Sequence, residues 1–292
     1  MVLLAAYLLV APPVFVLGPL AALLLFSRPA STREWGWVIG LLIWSAVWLE
    51  QTGGMSAQWV RAAAVLVTGA FVALTLWRPS NTITRAMTAT GLAGLALAAW
   101  MRSLGIDWQE VRRGVEFDLG EYRRALLAEL TGAGAPREVF AQASTMIDTV
   151  ALLYPALIAL AAIGGLRLAW VWYHRIAARP VGPAPKPFKA FAFSDQLVWG
   201  GVVGLALCLL APGDMGRTVG ANLLLLLAVL YATRGLAIFS ASSIRVPPPV
   251  LAAVTLASMF LLPFVLGGLT LLGLADTWLD FRRRLTTPAT GG

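Results

Sequence analysis

Charged residues are scarce in this sequence: Asp, Glu, Lys and Arg together make up 12% of the 292 residues. A soluble domain averages about 25% charged residues, which cover its surface in water. Hydrophobic residues make up 59% of the chain, and lipid is the solvent that accepts such a surface. The composition therefore argues against a water-soluble globule and predicts a membrane protein.

Cysteine and histidine are almost absent, with one residue of each, Cys208 and His174. A single cysteine excludes an intrachain disulfide, and one distant histidine does not complete a zinc or haem ligand set. The sequence also lacks the GxxxxGKS/T phosphate loop, the HExxH zinc motif and the GxSxG nucleophile motif. We therefore predict no cofactor, no metal site and no catalytic residues, and we expect that the protein is not an enzyme.

Acidic residues are fewer than basic ones, which gives a net charge of +8. The excess comes from arginines at the edges of apolar runs and from Lys186 and Lys189 in one loop. No basic helix carries the interleaved aromatic residues that would indicate nucleic acid binding, so no nucleic acid partner is expected. Short basic loops mark the cytoplasmic side of membrane proteins, and the loop with Arg175, Arg179 and these lysines is predicted to be cytoplasmic.

Long apolar runs are what the sequence has in abundance. Backbone groups in hydrocarbon must form their hydrogen bonds within the segment, so such runs predict helices. Eight spans are predicted, at residues 3–26, 35–49, 60–77, 83–101, 149–173, 196–211, 218–239 and 250–274. The predicted fold class is an all-α polytopic transmembrane helical bundle in the inner (plasma) membrane, with the lipid bilayer as its partner.

One segment, residues 105–148, breaks the apolar pattern with charges of both signs. Its apolar residues recur at spacings of three and four, as in an amphipathic helix; they are Trp108, Val111, Val115, Leu119, Tyr122, Leu126 and Leu130. This helix either lies on the membrane surface or packs as a connector on the bundle. A second short helix is expected to follow it and to lead into the fifth span.

The domain organisation follows from these segments. Residues 1–292 are predicted to form a single membrane domain, with spans one to four in residues 1–104 and spans five to eight in residues 149–284. The amphipathic extramembrane segment at 105–148 separates these two groups of spans, and a disordered tail occupies residues 285–292.

Ionisable and polar residues in the last two spans are candidates for a binding site, because a buried charge costs about 2.5–3.5 kcal/mol on insertion scales. Arg234 is the deepest charge of the seventh span, and Asn222 lies earlier in it. Asp276 and Asp280 stand four residues apart on one predicted helix face. Arg234 either functions inside the bundle or extends to the lipid head groups, and Asn222 contacts either a ligand or another helix.

A proline in the middle of the eighth predicted span is a second candidate feature. Pro263 is followed by Gly267 and Gly268. A proline inside a helix frees the carbonyl four residues earlier, here that of Met259, and transporters use such breaks to present backbone groups to a substrate. A simple packing kink is the commoner alternative.

Two expectations concern the arginines. Consecutive spans joined by a short loop are usually antiparallel neighbours, which would separate Arg234 from Asp276 by roughly 25–30 Å at 1.5 Å per residue. A direct ion pair between them is therefore not expected unless the last segment bends back at Pro263. Arg85 and Arg167, near the ends of their spans, are expected to extend to the head groups.

The second half of the chain resembles the YybS-like family of uncharacterised bacterial integral membrane proteins. The resemblance covers residues 149–284 and rests on the stretches LLYPALIALAAIGGLRLAW, FKAFAFSDQLVWG, NLLLLLAVLYATRGLAIF and LPFVLGGLTLLGLADTWLDFRRR. The first four spans fit by hydropathy only. The family's hydropathy is similar to that of the substrate-binding membrane subunits of energy-coupling-factor vitamin transporters, an analogy of fold that does not fix function.

Two functions are compatible with these observations. In the first, the protein binds or transports a small solute among spans five to eight, in the manner of those substrate-binding subunits. The residues proposed for binding are Arg234, Asn222, Pro263, Gly267, Gly268, Asp276 and Asp280. In the alternative, the protein is a non-transporting cell-envelope scaffold that recruits membrane-protein partners through its loops and the amphipathic segment.

Overall fold

A computed structural model gives the fold of Tyr7 and of residues 11–50, 54–77, 80–132, 134, 136–241 and 261–281. These described residues form nine α-helices and a short 3-10 helix, Phe188–Ala190, and contain no β-strand. The helices are α1 (Val14–Phe26), α2 (Thr32–Glu50), α3 (Met55–Trp77), α4 (Thr82–Ser103), α5 (Trp108–Gly132), α6 (Arg137–Ile176), α7 (Leu197–Leu210), α8 (Asp214–Ala241) and α9 (Leu262–Leu279). The predicted all-α helical bundle is confirmed.

Four of the described helices, α3, α6, α8 and α9, are long and apolar enough to cross a membrane. A fifth span results if α4 and α5, which are bent by 104° at their junction, count as one. Eight spans are therefore more than the described residues contain. The helices α1 and α7 have 13 and 14 residues, whereas about 20 are needed to cross the hydrocarbon core. Residues 250–260 of the eighth predicted span and the tail at 285–292 lie outside the described residues.

The chain divides into two compact units, Met1–Pro185 and Lys186–Gly292. In the first unit, α1 lies against α2, α3 and α6, and the side chains of Phe15 and Leu24 on α1 are fully buried. Gly165 permits the close approach of α6, because a Cβ atom there would lie 2.7 Å from the carbonyl oxygen of Phe15. The core of this unit is therefore built around α1.

The amphipathic helix predicted within 105–148 is α5, which packs against α3 and α6. Val111 and Val115 are buried, as the apolar stripe predicts. Tyr122 is 74% exposed, so its inclusion in the stripe was wrong. The backbone N–H of Ser56 donates to the Asp118 carboxylate at 2.9 Å, which caps the start of α3. The helix α5 thus packs on neighbouring helices of the first unit, and its position relative to the membrane surface stays a prediction.

The helix α6 is continuous over 40 residues, about 60 Å at 1.5 Å per residue and twice the hydrocarbon thickness. Its polar first part runs beside α5, where the Arg123 guanidinium lies 3.6 Å from the Asp148 carboxylate. The separate short helix predicted before the fifth span is therefore the beginning of α6. Its apolar part ends at His174 and Arg175.

Arg85, in the first turn of α4, does not extend to the head groups as expected. It is 1% exposed, and its Cζ atom lies 4.2 Å from the ring centroid of Trp170 on α6 and 5.6 Å from that of Phe71 on α3. Aromatic faces attract a cation that water no longer solvates. The spacing of residues in the sequence did not reveal that two rings would surround Arg85. Arg167 is half-buried, and its reach to the head groups stays a prediction.

Residues 177–182 fold back over the end of α6 and are called the strap below. The backbone N–H of Ala178 donates to the Glu34 carboxylate at 2.8 Å, and that of Val181 donates to the Tyr173 hydroxyl at 2.8 Å. The hydrogen bond from Ala178, with those from Ala30 and Ser31, lowers the pKa of Glu34 to about 2. The ionised Glu34 carboxylate thus fixes the strap to the start of α2.

In the second unit, α7 and α8 are antiparallel. Their closest approach is at Gly220, where a Cβ atom would lie 2.7 Å from the Gly204 carbonyl oxygen and 2.8 Å from the Cys208 sulfur. Small residues such as Gly204 and Gly220 allow helices to pack closely in membranes.

The helices α8 and α9 are parallel, which overturns the antiparallel arrangement expected from the sequence. Thr270 donates to the Ala228 carbonyl at 3.2 Å, and the Gly273 backbone lies against the Tyr231 carbonyl, both with an offset of 42 residues. The helix α9 begins at Leu262 rather than near residue 250. Twenty residues (242–261) therefore separate the two helices, so the short loop assumed from the sequence does not join them.

Large apolar side chains cover the outside of several helices. On α9 they include Phe264 at 78% and Leu271 at 67% exposure, and on α7 Leu209 at 71% and Leu210 at 80%. Water would penalise so much exposed apolar surface, whereas lipid does not. This distribution supports the membrane environment that the composition predicted.

Candidate functional site

A buried ionic cluster among the described residues of the second unit is centred on Arg234 of α8. Its Nε atom donates to the Asp276 carboxylate of α9 at 2.9 Å, and its Nη1 atom donates to the Asp195 carboxylate at 2.7 Å. Arg234 and Asp276 are 6% and 4% exposed. The expectation that Arg234 and Asp276 would not pair is therefore wrong, because it rested on antiparallel helices.

Helix packing brings the two buried charges together. Gly235 follows Arg234, and a Cβ atom there would collide with the backbone carbonyl of Leu269. Gly273 likewise lies against the Tyr231 carbonyl. Only glycine allows two backbones to approach so closely. Asp276 lies about one turn after Gly273 on α9, and the close approach of the helices lets its short side chain reach the Arg234 guanidinium.

The third member of the cluster, Asp195, differs from Asp276 in its surroundings. It lies just before α7, and its side chain is 60% exposed, whereas the Asp276 side chain is 3% exposed. An ion pair with an exposed carboxylate contributes about 0–1 kcal/mol, whereas breaking a buried pair costs about 3–5 kcal/mol. Asp276 is thus a buried counter-ion of Arg234, and Asp195 is a largely exposed one.

Aromatic side chains complete the surroundings of the guanidinium. The Arg234 Cζ atom lies 5.5 Å from the ring centroid of Phe193, and the Phe193 ring meets the Tyr231 ring edge to face at 5.1 Å between centroids. Phe193 and Tyr231 are both buried. The cluster therefore offers a positive group, an apolar wall and a carboxylate at its exposed side.

The other residues predicted for a site lie elsewhere in the second unit. Asn222 is half-buried on α8 and donates to the Thr218 carbonyl at 2.9 Å. Asp280 is exposed at the end of α9 in the left-handed conformation, with φ at 44°. It therefore does not share the buried face of Asp276.

Pro263 does not lie in the middle of a described helix, where the sequence analysis had placed it. It occupies the first turn of α9, where a missing N–H costs nothing. Gly267 and Gly268 are exposed and have no neighbouring atom within 4 Å of a would-be Cβ. Met259, whose carbonyl was expected to be freed, lies outside the described residues. A ligand role for these residues stays a prediction.

Sequence reasoning missed Asp195 and Phe193. A signal was present, because Asp195 is the first acid after a loop whose charges are otherwise basic. Its partner is 39 residues away in sequence, so no local pattern links them. For metals, the described part of the chain has no group of three or more His, Cys, Asp or Glu side chains that could hold an ion.

The apolar helices and the ionic cluster between them define a polytopic α-helical membrane protein. The chain belongs to the DUF2232 family of predicted membrane proteins, whose family model matches residues 1–277. The match extends through the first half of the chain and is consistent with the resemblance to the YybS-like family. No curated protein and no solved structure matches the chain.

Proposed function

We propose that this protein is a non-enzymatic solute-binding protein of the plasma membrane and that the Arg234 cluster binds the carboxylate of a small organic acid. The observation that carries the proposal is the unequal pair of counter-ions. Arg234 is held by a buried carboxylate on α9 and by a largely exposed one before α7. This supports the solute-binding function inferred from the sequence, with a different set of residues around Arg234.

The first step concerns the charge itself. A charged side chain inside a membrane bundle is costly, and such a residue is by default a candidate for a binding or transport path. Asp276 already neutralises Arg234 inside the bundle. A second, exposed carboxylate is therefore not needed to keep the arginine buried.

The second step concerns exchange. A guanidinium has five N–H donors in a planar fork that matches a carboxylate. A solute carboxylate can replace that of Asp195, because the Asp195 side chain is 60% exposed and stays hydrated when it leaves. The rings of Phe193 and Tyr231 are buried beside the guanidinium, so the solute meets Arg234 from the exposed side on which Asp195 lies.

A thermal-shift assay in detergent tests this proposal with benzoate and its neutral analogue benzamide. Benzoate is expected to stabilise the wild-type protein more than benzamide does, and Arg234→Gln is expected to abolish the difference. Arg112→Gln is the matched control, because Arg112 forms an exposed ion pair with Glu116 at 2.8 Å. An equal response in Arg234→Gln and wild type would contradict the proposed site. Failure of benzoate and of a wider set of small carboxylates to stabilise the wild type would exclude this ligand class.

The scaffold function has one observation in its favour. The helix α5 carries two exposed aromatic residues, Phe117 at 77% and Tyr122 at 74% exposure. Aromatic residues are enriched where protein partners bind. Cross-linking from position 122 in native membranes tests this alternative, with the exposed Arg113 position as the control. Equal cross-linking at both positions would remove its support.

A further inference from the structure

The buried arginine of the first unit, Arg85, is held differently from Arg234. No carboxylate pairs with it among the described residues, and its Nε, Nη1 and Nη2 atoms are buried with no hydrogen-bond partner there. Its Cζ atom lies over aromatic faces, 4.2 Å from the ring centroid of Trp170 and 5.6 Å from that of Phe71. An aromatic face attracts the cation but accepts no conventional hydrogen bond from its edge.

A second polar group beside Arg85 is also unpartnered. The indole Nε1 of Trp170 is buried without an acceptor, and Trp170 as a whole is 0% exposed. His174 packs against the same indole, with its ring centroid at 4.4 Å. Its Nδ1 lies 3.0 Å from the Trp170 carbonyl oxygen, and its Nε2 is buried and unpartnered. Buried polar groups are almost always hydrogen-bonded, so several around one ring indicate a ligand.

The donors determine the charge of that ligand. The guanidinium has five N–H groups and the indole has one, and neither can accept a hydrogen bond. The ligand must therefore supply several acceptor oxygens and a negative charge. Arginine recognises phosphate through paired, charge-assisted hydrogen bonds.

The position in the fold determines where such a ligand would be found. Trp170 lies one turn before His174 and Arg175, where the apolar part of α6 ends, and Arg85 is in the first turn of α4. Basic pockets between transmembrane helices at this level bind lipid head groups. The strap passes over the cluster, with Gly182 so close that a Cβ atom there would lie 3.2 Å from Trp170.

We propose that Arg85 and the Trp170 indole N–H form a binding site for a phosphate group, closed by the strap at residues 177–182. The phosphate belongs either to a phospholipid head group or to free inorganic phosphate. The site is independent of the Arg234 cluster, which lies in the other unit. The phosphate oxygens supply the hydrogen-bond acceptors that the described protein atoms around Arg85 do not provide.

Native mass spectrometry and thermal shift of the full chain in detergent test the site with three probes. These are dioleoylphosphatidylglycerol, dioleoylglycerol as the same lipid without phosphate, and sodium phosphate. We expect one of the phosphate probes to bind, and Arg85→Gln to weaken it about tenfold, as for the loss of a charge-assisted hydrogen bond. Arg175→Gln is the matched control, since exposed Arg175 lies 5.8 Å from the Trp172 ring near the same helix end, and a change of at most about twofold is expected there.

Each outcome decides the proposal. Binding of the phospholipid but not of dioleoylglycerol assigns the site to a head group, whereas binding of sodium phosphate assigns it to the free ion. Equal affinity in wild type and Arg85→Gln for both phosphate probes, or no binding of either, overturns the site. If Arg85→Gln does not fold, Trp170→Phe removes the indole N–H together with the five-membered ring and keeps an aromatic face for Arg85. It should weaken binding several-fold, and unchanged binding in that variant also overturns the proposal.

Discussion

Two buried arginines distinguish the two units of this protein. Arg234 in the second unit meets two carboxylates, at 2.9 and 2.7 Å. Arg85 in the first unit is more deeply buried, at 1% against 6% exposure, and meets aromatic rings without a carboxylate among the described residues. The same side chain is thus neutralised by the protein in one unit and left with unused donors in the other.

The comparison shows that burial alone does not identify the role of a membrane arginine. A neutralised arginine with one exchangeable partner suits a ligand that competes with that partner, as proposed for Arg234 and Asp195. An arginine with free donors suits a ligand that adds the missing charge, as proposed for Arg85. The following experiments test this difference, beginning with the largest expected effect.

Removal of the buried counter-ion of Arg234 should be the most damaging change. Asp276→Asn leaves the buried guanidinium uncompensated on that side and is expected to cost about 3–5 kcal/mol of stability. Asp195→Asn should cost about 1 kcal/mol or less, because this carboxylate is largely exposed. Thermal unfolding in detergent compares the two variants. Equal losses would show that Asp195 is as structural as Asp276 and would remove the basis for ligand exchange.

The next largest expected effect is the coupling free energy between Arg234 and Asp276, which a double-mutant cycle measures. Arg234→Gln and Asp276→Asn, alone and combined, are expected to show coupling of at least about 1 kcal/mol, as for residues in direct contact. Antiparallel helices, as expected from the sequence, would give coupling below about 0.5 kcal/mol. Additive effects would therefore contradict the parallel packing of α8 and α9.

The sequence was sufficient for the membrane class and for most helices, because both depend on local composition. Long apolar runs predicted α3, α6 and α8, and a spacing of three and four predicted α5 with Val111 and Val115 buried. Arg234 and Asp276 were also found, because charges are rare in apolar runs.

The relation between those two residues could not be derived from the sequence. It depends on where the last helix begins, and the apolar residues before Leu262 give no boundary signal. A helix starting near residue 250 leaves a short loop and antiparallel neighbours, whereas a start at Leu262 permits parallel ones. The burial of Arg85 was equally hidden, because Trp170 is 85 residues away and only packing brings its ring over the guanidinium.

Neutralisation of Arg85 should have a much smaller effect on stability than neutralisation of Arg234. In protein freed of lipid and phosphate, Arg85→Gln loses ring contacts of about 1–2 kcal/mol but also removes an uncompensated buried charge. The net change is expected to lie within about 1 kcal/mol, whereas Arg234→Gln leaves buried Asp276 without its cation and should cost about 3–5 kcal/mol. Thermal unfolding of both variants in the same detergent measures the difference. Similar losses would mean that Arg85 is a structural residue like Arg234.

The smallest expected effect concerns the strap over Arg85 and depends on pH. The pKa of Glu34 is lowered to about 2, chiefly by the hydrogen bond from the Ala178 N–H, whereas its ordinary value is about 4.5. Because the folded pKa is the lower one, Glu34 stabilises the fold above about pH 4.5 and loses this contribution as the pH falls towards about 2. The Tm of the wild type should therefore exceed that of Glu34→Gln at about pH 6, and the difference should shrink over this window. Glu110→Gln, on the exposed side of α5, is the control and should show no such trend. A difference between wild type and Glu34→Gln that stays constant down to about pH 2 would mean that the Glu34 carboxylate does not hold the strap. The strap would then close the Arg85 cluster only through Val181 and Tyr173.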